Sequence, residues 1–206
     1  KEFWHHGPNI DSSYDSRIHK NIEVKEIKNF NNHFNNLFIA INELGMDVLK
    51  IIAVMLNKDS NFFNPWAAKG NSLLRLIHYP PVTNNSNKLR ARAHEDINLI
   101  TLLVGAEESG LEVKSKKGTW VPIKASSNAI VCNIGDMMQL VTDGLLLSTT
   151  HRVISYPESQ SKSRYSMPFF LHPSPDIILK SIFDETDEGV LADDFLTERL
   201  KAIKLY

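Results

Sequence analysis

His94, Glu95 and Asp96 stand in a row immediately before the apolar run 97–104, INLITLLV. A charge at the edge of a buried segment needs a partner or a metal, because an unpaired buried ion costs several kcal/mol or loses its charge through a pKa shift. Side chains alternate along a strand, so if these residues open one, His94 and Asp96 share a face and Glu95 points away. Two ligands can then reach one point. A third is available in His151, which lies in another strand-like run, STTHRVIS. Two imidazoles and one carboxylate on one side of an octahedron leave the other positions open, which is the donor pattern of a non-haem Fe(II) centre that handles oxygen. The H-x-D triplet alone fits equally a plain pair of polar residues at a strand end.

Arg164 and Ser166 follow His151 by thirteen and fifteen residues in SRYSM and are again i and i+2. A guanidinium fork binds a carboxylate bidentately and a hydroxyl adds one more bond, so the pair forms a carboxylate dock. Taken singly, Arg164 fits a surface ion pair.

The elements that must carry these residues follow from hydrophobic patterning. From Val24 to Asn57 apolar residues recur every three or four positions, which predicts an amphipathic support helix over residues 23–57 with a bend at Gly45. Residues 71–173 break into eight short runs rich in branched side chains, separated by Gly, Asn and Asp turn signals such as EESG, KKG, NIGD and TDG. That texture predicts an antiparallel barrel or sandwich, with DMMQLVTDG counted among the strands. Residues 174–206 return to helical spacing, first in SPDIILKSIF and then in LADDFLTERLKAI.

With 206 residues, 42% hydrophobic and 23% charged, the chain can bury one core, and a single domain is expected. Its 23 basic and 24 acidic side chains give a net charge of -1, which argues against nucleic acid or an anionic membrane as partner. The nine-residue run 48–56 is interrupted by Lys50 and falls far short of the ~20 residues needed to span a bilayer. The start lacks the pattern of a signal peptide, and a lone cysteine, Cys132, excludes an intrachain disulfide, so a cytoplasmic setting is expected. Oligomeric state is left open.

Together the segments LLRLIHYPP, AHEDINLITLLV, GLEV, WVPI, NIGDMMQLVTDGLLLSTTHRVI and RYSMPFFLHPSPD resemble, in order and spacing, the non-haem Fe(II) and 2-oxoglutarate dependent oxygenases of the isopenicillin N synthase-like group. The resemblance implies a mainly β fold with flanking helices, a jelly-roll double-stranded β-helix. It implies Fe(II) held by His94, Asp96 and His151, and 2-oxoglutarate gripped at its far carboxylate by Arg164 and Ser166 with the Tyr79 hydroxyl nearby. It implies a small organic substrate, hydroxylated or desaturated with molecular oxygen as succinate and carbon dioxide are released. It also implies an N-terminal portion ahead of EFWH. Many plant members carry Asn two residues before that Tyr; here the position is Ile77.

The other conspicuous residues read as structural. Glu95 is expected at the surface, Arg152 in an ion pair, Cys132 in the core, and His78 on the face opposite Tyr79. Phe170 continues the alternation of Arg164, Ser166 and Pro168 and lines either the pocket or the core. Two other functions fit the same residues: an iron oxidase whose Arg-x-Ser pair binds substrate instead of 2-oxoglutarate, and a non-catalytic metal or zinc module. Structural zinc sites are usually closed by four protein ligands, which favours iron.

Overall fold

The computed structural model describes residues 1–81, 89–104, 110–126, 128–156 and 161–202. Two antiparallel sheets face each other as a jelly roll. The larger has the order β1 (Glu2–His6), β2 (Leu73–Tyr79), β9 (Arg164–Leu171), β4 (Ile100–Val104) and β7 (Val131–Ile134). The smaller has the order β3 (Ala91–His94), β8 (His151–Val153), β5 (Leu111–Lys114) and β6 (Trp120–Pro122).

Alternation gives the larger sheet two chemically different faces. Leu74, Phe169, Leu171, Ile100 and Leu102 point to one side and are almost completely buried. They pack against α1 (Phe30–Met55), whose Phe38, Ile41, Leu49, Ile52 and Ala53 form its buried stripe. Phe38 meets Phe169 edge-on at 5.2 Å between ring centres. Arg75, Ile77, Tyr79, Arg164, Ser166, Pro168, Phe170 and Thr101 point to the other side, into the space between the sheets. The helix therefore stiffens the wall that carries the polar residues.

The support helix begins later than its apolar rhythm suggests, because Asn29 adopts φ 59° and a helix cannot run through a left-handed residue. It runs unbroken through Gly45. A Cβ there would lie 2.4 Å from Leu171 Cδ1, so this glycine lets the helix approach the sheet closely.

Among the described residues, 71–173 contain eight strands, but two boundaries differ from expectation. RAHEDINLITLLV is not one strand: β3 ends at His94, and residues 95–99 cross to the other sheet before β4 begins. DMMQLV is helix α3 (Asp136–Val141), with Met137, Met138 and Val141 buried at helical spacing and Asp136 in its first turn. SPDIILKSIF is likewise not a helix. Ile178–Leu179 (β10) pairs with Val190–Leu191 (β11), and Ser181 Oγ accepts the backbone N–H groups of Phe183 and Asp184 while Asp187 accepts that of Ser181. Such local side-chain bonds compete with helical ones. α4 (Ala192–Ala202) follows as expected, after the short helix α2 (Asn64–Ala67) and α3 earlier in the chain. The expected turn at EESG falls mostly, and residues 203–206 fall wholly, outside the described residues. Glu2–His6, to which patterning assigns no element, forms the edge strand β1, and Cys132 is exposed on the opposite edge strand and not in the core.

Phe169→Ala should remove the central contact between sheet and helix and cost about 3–5 kcal/mol. A lower denaturation midpoint at unchanged slope would show this, and a loss below about 1 kcal/mol would mean that the helix is not seated through Phe169.

Candidate metal centre

His94 and His151 are directly opposite each other where β3 pairs with β8, and their rings lie 4.3 Å apart. The pairing contains a register shift between Ala91 and His94. In a regular strand these two positions, three apart, would point to opposite faces; the irregularity lets both line the same cavity. Asp96 arrives from beyond the strand end. The link from β3 to β4, and not simple alternation, carries it to the histidines.

Asp96 Oδ1 lies 3.9 Å from His94 Nε2 and 3.7 Å from His151 Nε2. These separations are too long for hydrogen bonds but within the span of two metal–ligand bonds of ~2.1 Å each. The three residues each offer a donor atom, all within 4.8 Å of one another, and form the one such group of His, Cys, Asp and Glu among the described residues. Nδ1 of each imidazole lies on a backbone carbonyl: Arg92 O at 2.7 Å for His94 and Thr149 O at 3.1 Å for His151. A proton donated there leaves both Nε2 atoms, which lie near Asp96 Oδ1, unprotonated and able to ligate. Loss of water around the ring, despite its open outer edge, and the neighbouring His151 hold the His94 pKa below the usual histidine value. That favours the neutral, ligating form.

The Asp96 carboxylate is buried and fixed from behind. Its Oδ2 accepts the Thr101 hydroxyl at 2.7 Å and Asn133 Nδ2 at 2.8 Å, leaving Oδ1 for the histidines. Asn98 Nδ2 donates in turn to Thr101 Oγ1 at 3.0 Å and to Ile100 O at 2.7 Å. Thr101 and Asn133 are register partners of β4 and β7. Sequence reasoning misses both, although each is a polar residue set inside an apolar run. Gly135 also supports the link, since a Cβ there would lie 2.1 Å from Asn98 O.

A cavity of about 110 Å³ brings together all six residues named from the sequence: His94, Asp96, His151, Tyr79, Arg164 and Ser166. Arg164 is only 2% exposed, which rules out the surface ion pair, and its guanidinium lies 5.5 Å from the Tyr79 ring centre. Burial raises the Tyr79 pKa, keeping its hydroxyl protonated. Ile77 and Phe170 line the same wall. The structural readings hold elsewhere: Thr150 donates to Glu95 at the surface, and Arg152 pairs with Glu112 at 2.7 Å beneath the Trp120 ring. His78 points outward to Glu2 and Ser163 and stacks on Tyr165.

Removing either donor to Oδ2 should free the carboxylate to rotate. Thr101→Val and Asn133→Leu are each expected to weaken Fe(II) or Mn(II) binding roughly 10- to 100-fold in anaerobic titrations. Unchanged affinity in both would show that Asp96 needs no such restraint.

The donor set suits Fe(II), and a buried Arg and Ser in the same cavity suit a carboxylate cosubstrate. Residues 70–173 match the 2OG-Fe(II) oxygenase superfamily. A 2OG-Fe(II) oxygenase family protein from Caulobacter crescentus superposes with a TM-score of 0.90 at 40% identity, covering 98% of this chain and 69% of that one. A full-length Neurospora crassa protein in complex with alpha-KG and thymine superposes with a TM-score of 0.85 at 29% identity, over 98% of this chain and 64% of that one. The 2-oxoglutarate-Fe(II) type oxidoreductase hxnY of Emericella nidulans is 32% identical over 163 residues, 77% of this chain and 46% of its own length. The chain thus spans about half the length of the curated relatives it matches. The matched segment contains both sheets except β1, and the chain belongs to the 2OG-Fe(II) oxygenase superfamily.

Proposed function

We propose that this chain is the catalytic domain of an Fe(II)- and 2-oxoglutarate-dependent oxygenase, of the isopenicillin N synthase-like group, that hydroxylates or desaturates a small organic substrate. The observation that carries this reading is the convergence of two histidines, one carboxylate, a buried arginine and a serine on one cavity. His94, Asp96 and His151 hold Fe(II). Arg164 and Ser166 hold the far carboxylate of 2-oxoglutarate, with the Tyr79 hydroxyl beside them. Iron and cosubstrate, when bound, supply the oxidising chemistry with molecular oxygen and release succinate and carbon dioxide.

The chain's own residues then have three tasks. The backbone carbonyls of Arg92 and Thr149 orient both imidazoles, and Thr101 and Asn133 orient the carboxylate, so the ligands occupy one side and leave the other accessible. Arg164, on β9, is fixed by the sheet beside Tyr79 of β2, its register partner, so the carboxylate dock is rigid before binding. Ile77, Leu103, Leu111, Val113, Val131 and Val153 give the cavity apolar walls that limit water near the reacting atoms. The Neurospora crassa structure with thymine supports a substrate of modest size. A reducing, cytoplasmic setting suits both the single cysteine and a ferrous centre.

Anaerobic addition of Fe(II) and 2-oxoglutarate should produce a visible charge-transfer band, and Asp96→Ala should abolish both the band and succinate formation. Arg164→Leu should raise the 2-oxoglutarate requirement roughly 30- to 100-fold while iron binding survives, the effect of removing one partner from a buried charge-assisted pair. Absence of the band in intact protein, or succinate formation unaffected by Asp96→Ala, contradicts the proposal. A 2-oxoglutarate affinity indifferent to Arg164 would favour an iron oxidase whose arginine binds substrate.

A further inference from the structure

The cavity contains a second guanidinium, which the reading above does not use. Arg75 of β2 shares the inner face with Ile77 and Tyr79 and lines the cavity together with the three candidate iron ligands. It is held firmly. Its guanidinium carbon lies 5.0 Å from the Phe170 ring centre and 5.2 Å from that of Phe3, and its Nε donates to His5 Nε2 at 2.7 Å. His5 is the register partner of Arg75 across β1 and β2. Burial and the adjacent guanidinium push the His5 pKa down to about 4, which keeps it a neutral acceptor.

This arrangement leaves a specific kind of capacity unused. With rings packed against the guanidinium and Nε engaged by His5, Arg75 still has the N–H groups of its two terminal nitrogens to offer. Among the described residues, no carboxylate stands within ion-pair distance of it. Asp96 is the one acidic side chain among the described residues lining the cavity, and its carboxylate faces the histidines and accepts from Thr101 and Asn133.

Charge balance then points to the missing partner. On the reading proposed above, the two charges of Fe(II) and that of Arg164 are matched by Asp96 and the two carboxylates of 2-oxoglutarate. The charge of Arg75 is not, and Lys1 at the same cavity adds to its sign. A partly desolvated cation gains most from an anionic partner that accepts two hydrogen bonds.

We infer that Arg75 is a substrate-binding residue that selects a small organic substrate bearing a carboxylate, with Phe170 supplying the apolar surface beside it. The inference rests on the oxygenase reading, and it assigns the two arginines of the cavity to different carboxylates: Arg164 to the cosubstrate, Arg75 to the substrate.

The test is calorimetric titration of the protein loaded anaerobically with Fe(II) and saturating 2-oxoglutarate. The probes are hexanoate, benzoate and phenylacetate, each against its primary amide. At least one acid is expected to bind ten-fold or more tightly than its amide. Arg75→Met should reduce that preference to within about three-fold while the 2-oxoglutarate affinity and the charge-transfer band are retained, and Arg75→Lys, which keeps the charge, should preserve part of it. Thermal melts confirm that each variant is folded, and if Arg75→Met is not, Arg75→Lys alone must lower the acid-over-amide ratio. Equal binding of every acid and its amide overturns the inference, as does a loss of 2-oxoglutarate affinity in Arg75→Met that matches the loss in Arg164→Leu. Because the band reports the oxygenase reading independently, its absence in the parent protein marks failure of that reading instead.

Discussion

A buried carboxylate with two differently occupied oxygens is the constraint around which this structure is arranged. Asp96 is 8% exposed, a position that is costly for an ion without compensation. Oδ2 is compensated by Thr101 and Asn133, and Oδ1 faces two imidazole nitrogens at distances too long for hydrogen bonds and short enough for one shared ion. Each compensation depends on a different strand pairing. The β4–β7 register places Thr101 beside Asn133, and the β3–β8 register places His94 beside His151. Asp96 lies on the link between the two sheets, so it is the point where both registers must be correct at once. A slip of one residue in either pairing would turn the relevant side chains to the wrong face.

The larger sheet serves two functions by keeping its faces separate. Its helix-facing side is a continuous apolar layer against α1, and the close approach at Gly45 and the Phe38–Phe169 contact belong to that layer. Its inner side carries two arginines, a tyrosine, a serine and a threonine between the sheets. Those groups line the cavity, while the apolar layer behind them holds the wall in place. Rigid placement also lowers the cost of ordering side chains when a ligand binds. The arginines are held by different means, Arg164 within β9 beside the Tyr79 ring and Arg75 by His5 and two phenylalanines, consistent with separate tasks.

Much of this is legible from residue types and spacing, though not always for the reason that spacing suggests. The candidate ligands His94, Asp96 and His151 converge as expected, but strand alternation does not bring them together. β3 stops at His94, and a register shift and an interstrand link do the positioning. Those features depend on cross-strand pairing, which one chain read linearly does not display. Arg164, Ser166 and Phe170 are easier, because all three lie within the single strand β9 and period-2 alternation applies directly. The supports of Asp96 escape a linear reading because Thr101 and Asn133 come from two strands that meet only in the sheet. The helix α3 reads as a strand because six residues, four of them apolar, are too few to separate the two periods, and burial of Met137, Met138 and Val141 decides between them. The segment after Pro175 reads as a helix because hydrogen bonds to and from Ser181 and Asp187 leave no hydrophobic signature.

The central claim is that two histidines and one carboxylate, fixed from behind, hold a ferrous ion on one side only. X-ray absorption spectroscopy of the anaerobic Fe(II) protein, before and after 2-oxoglutarate, tests it most directly. The expected result is a six-coordinate iron with scattering from two imidazoles, retained when 2-oxoglutarate replaces solvent ligands. A four-coordinate site, or a number of imidazoles other than two, would contradict the account.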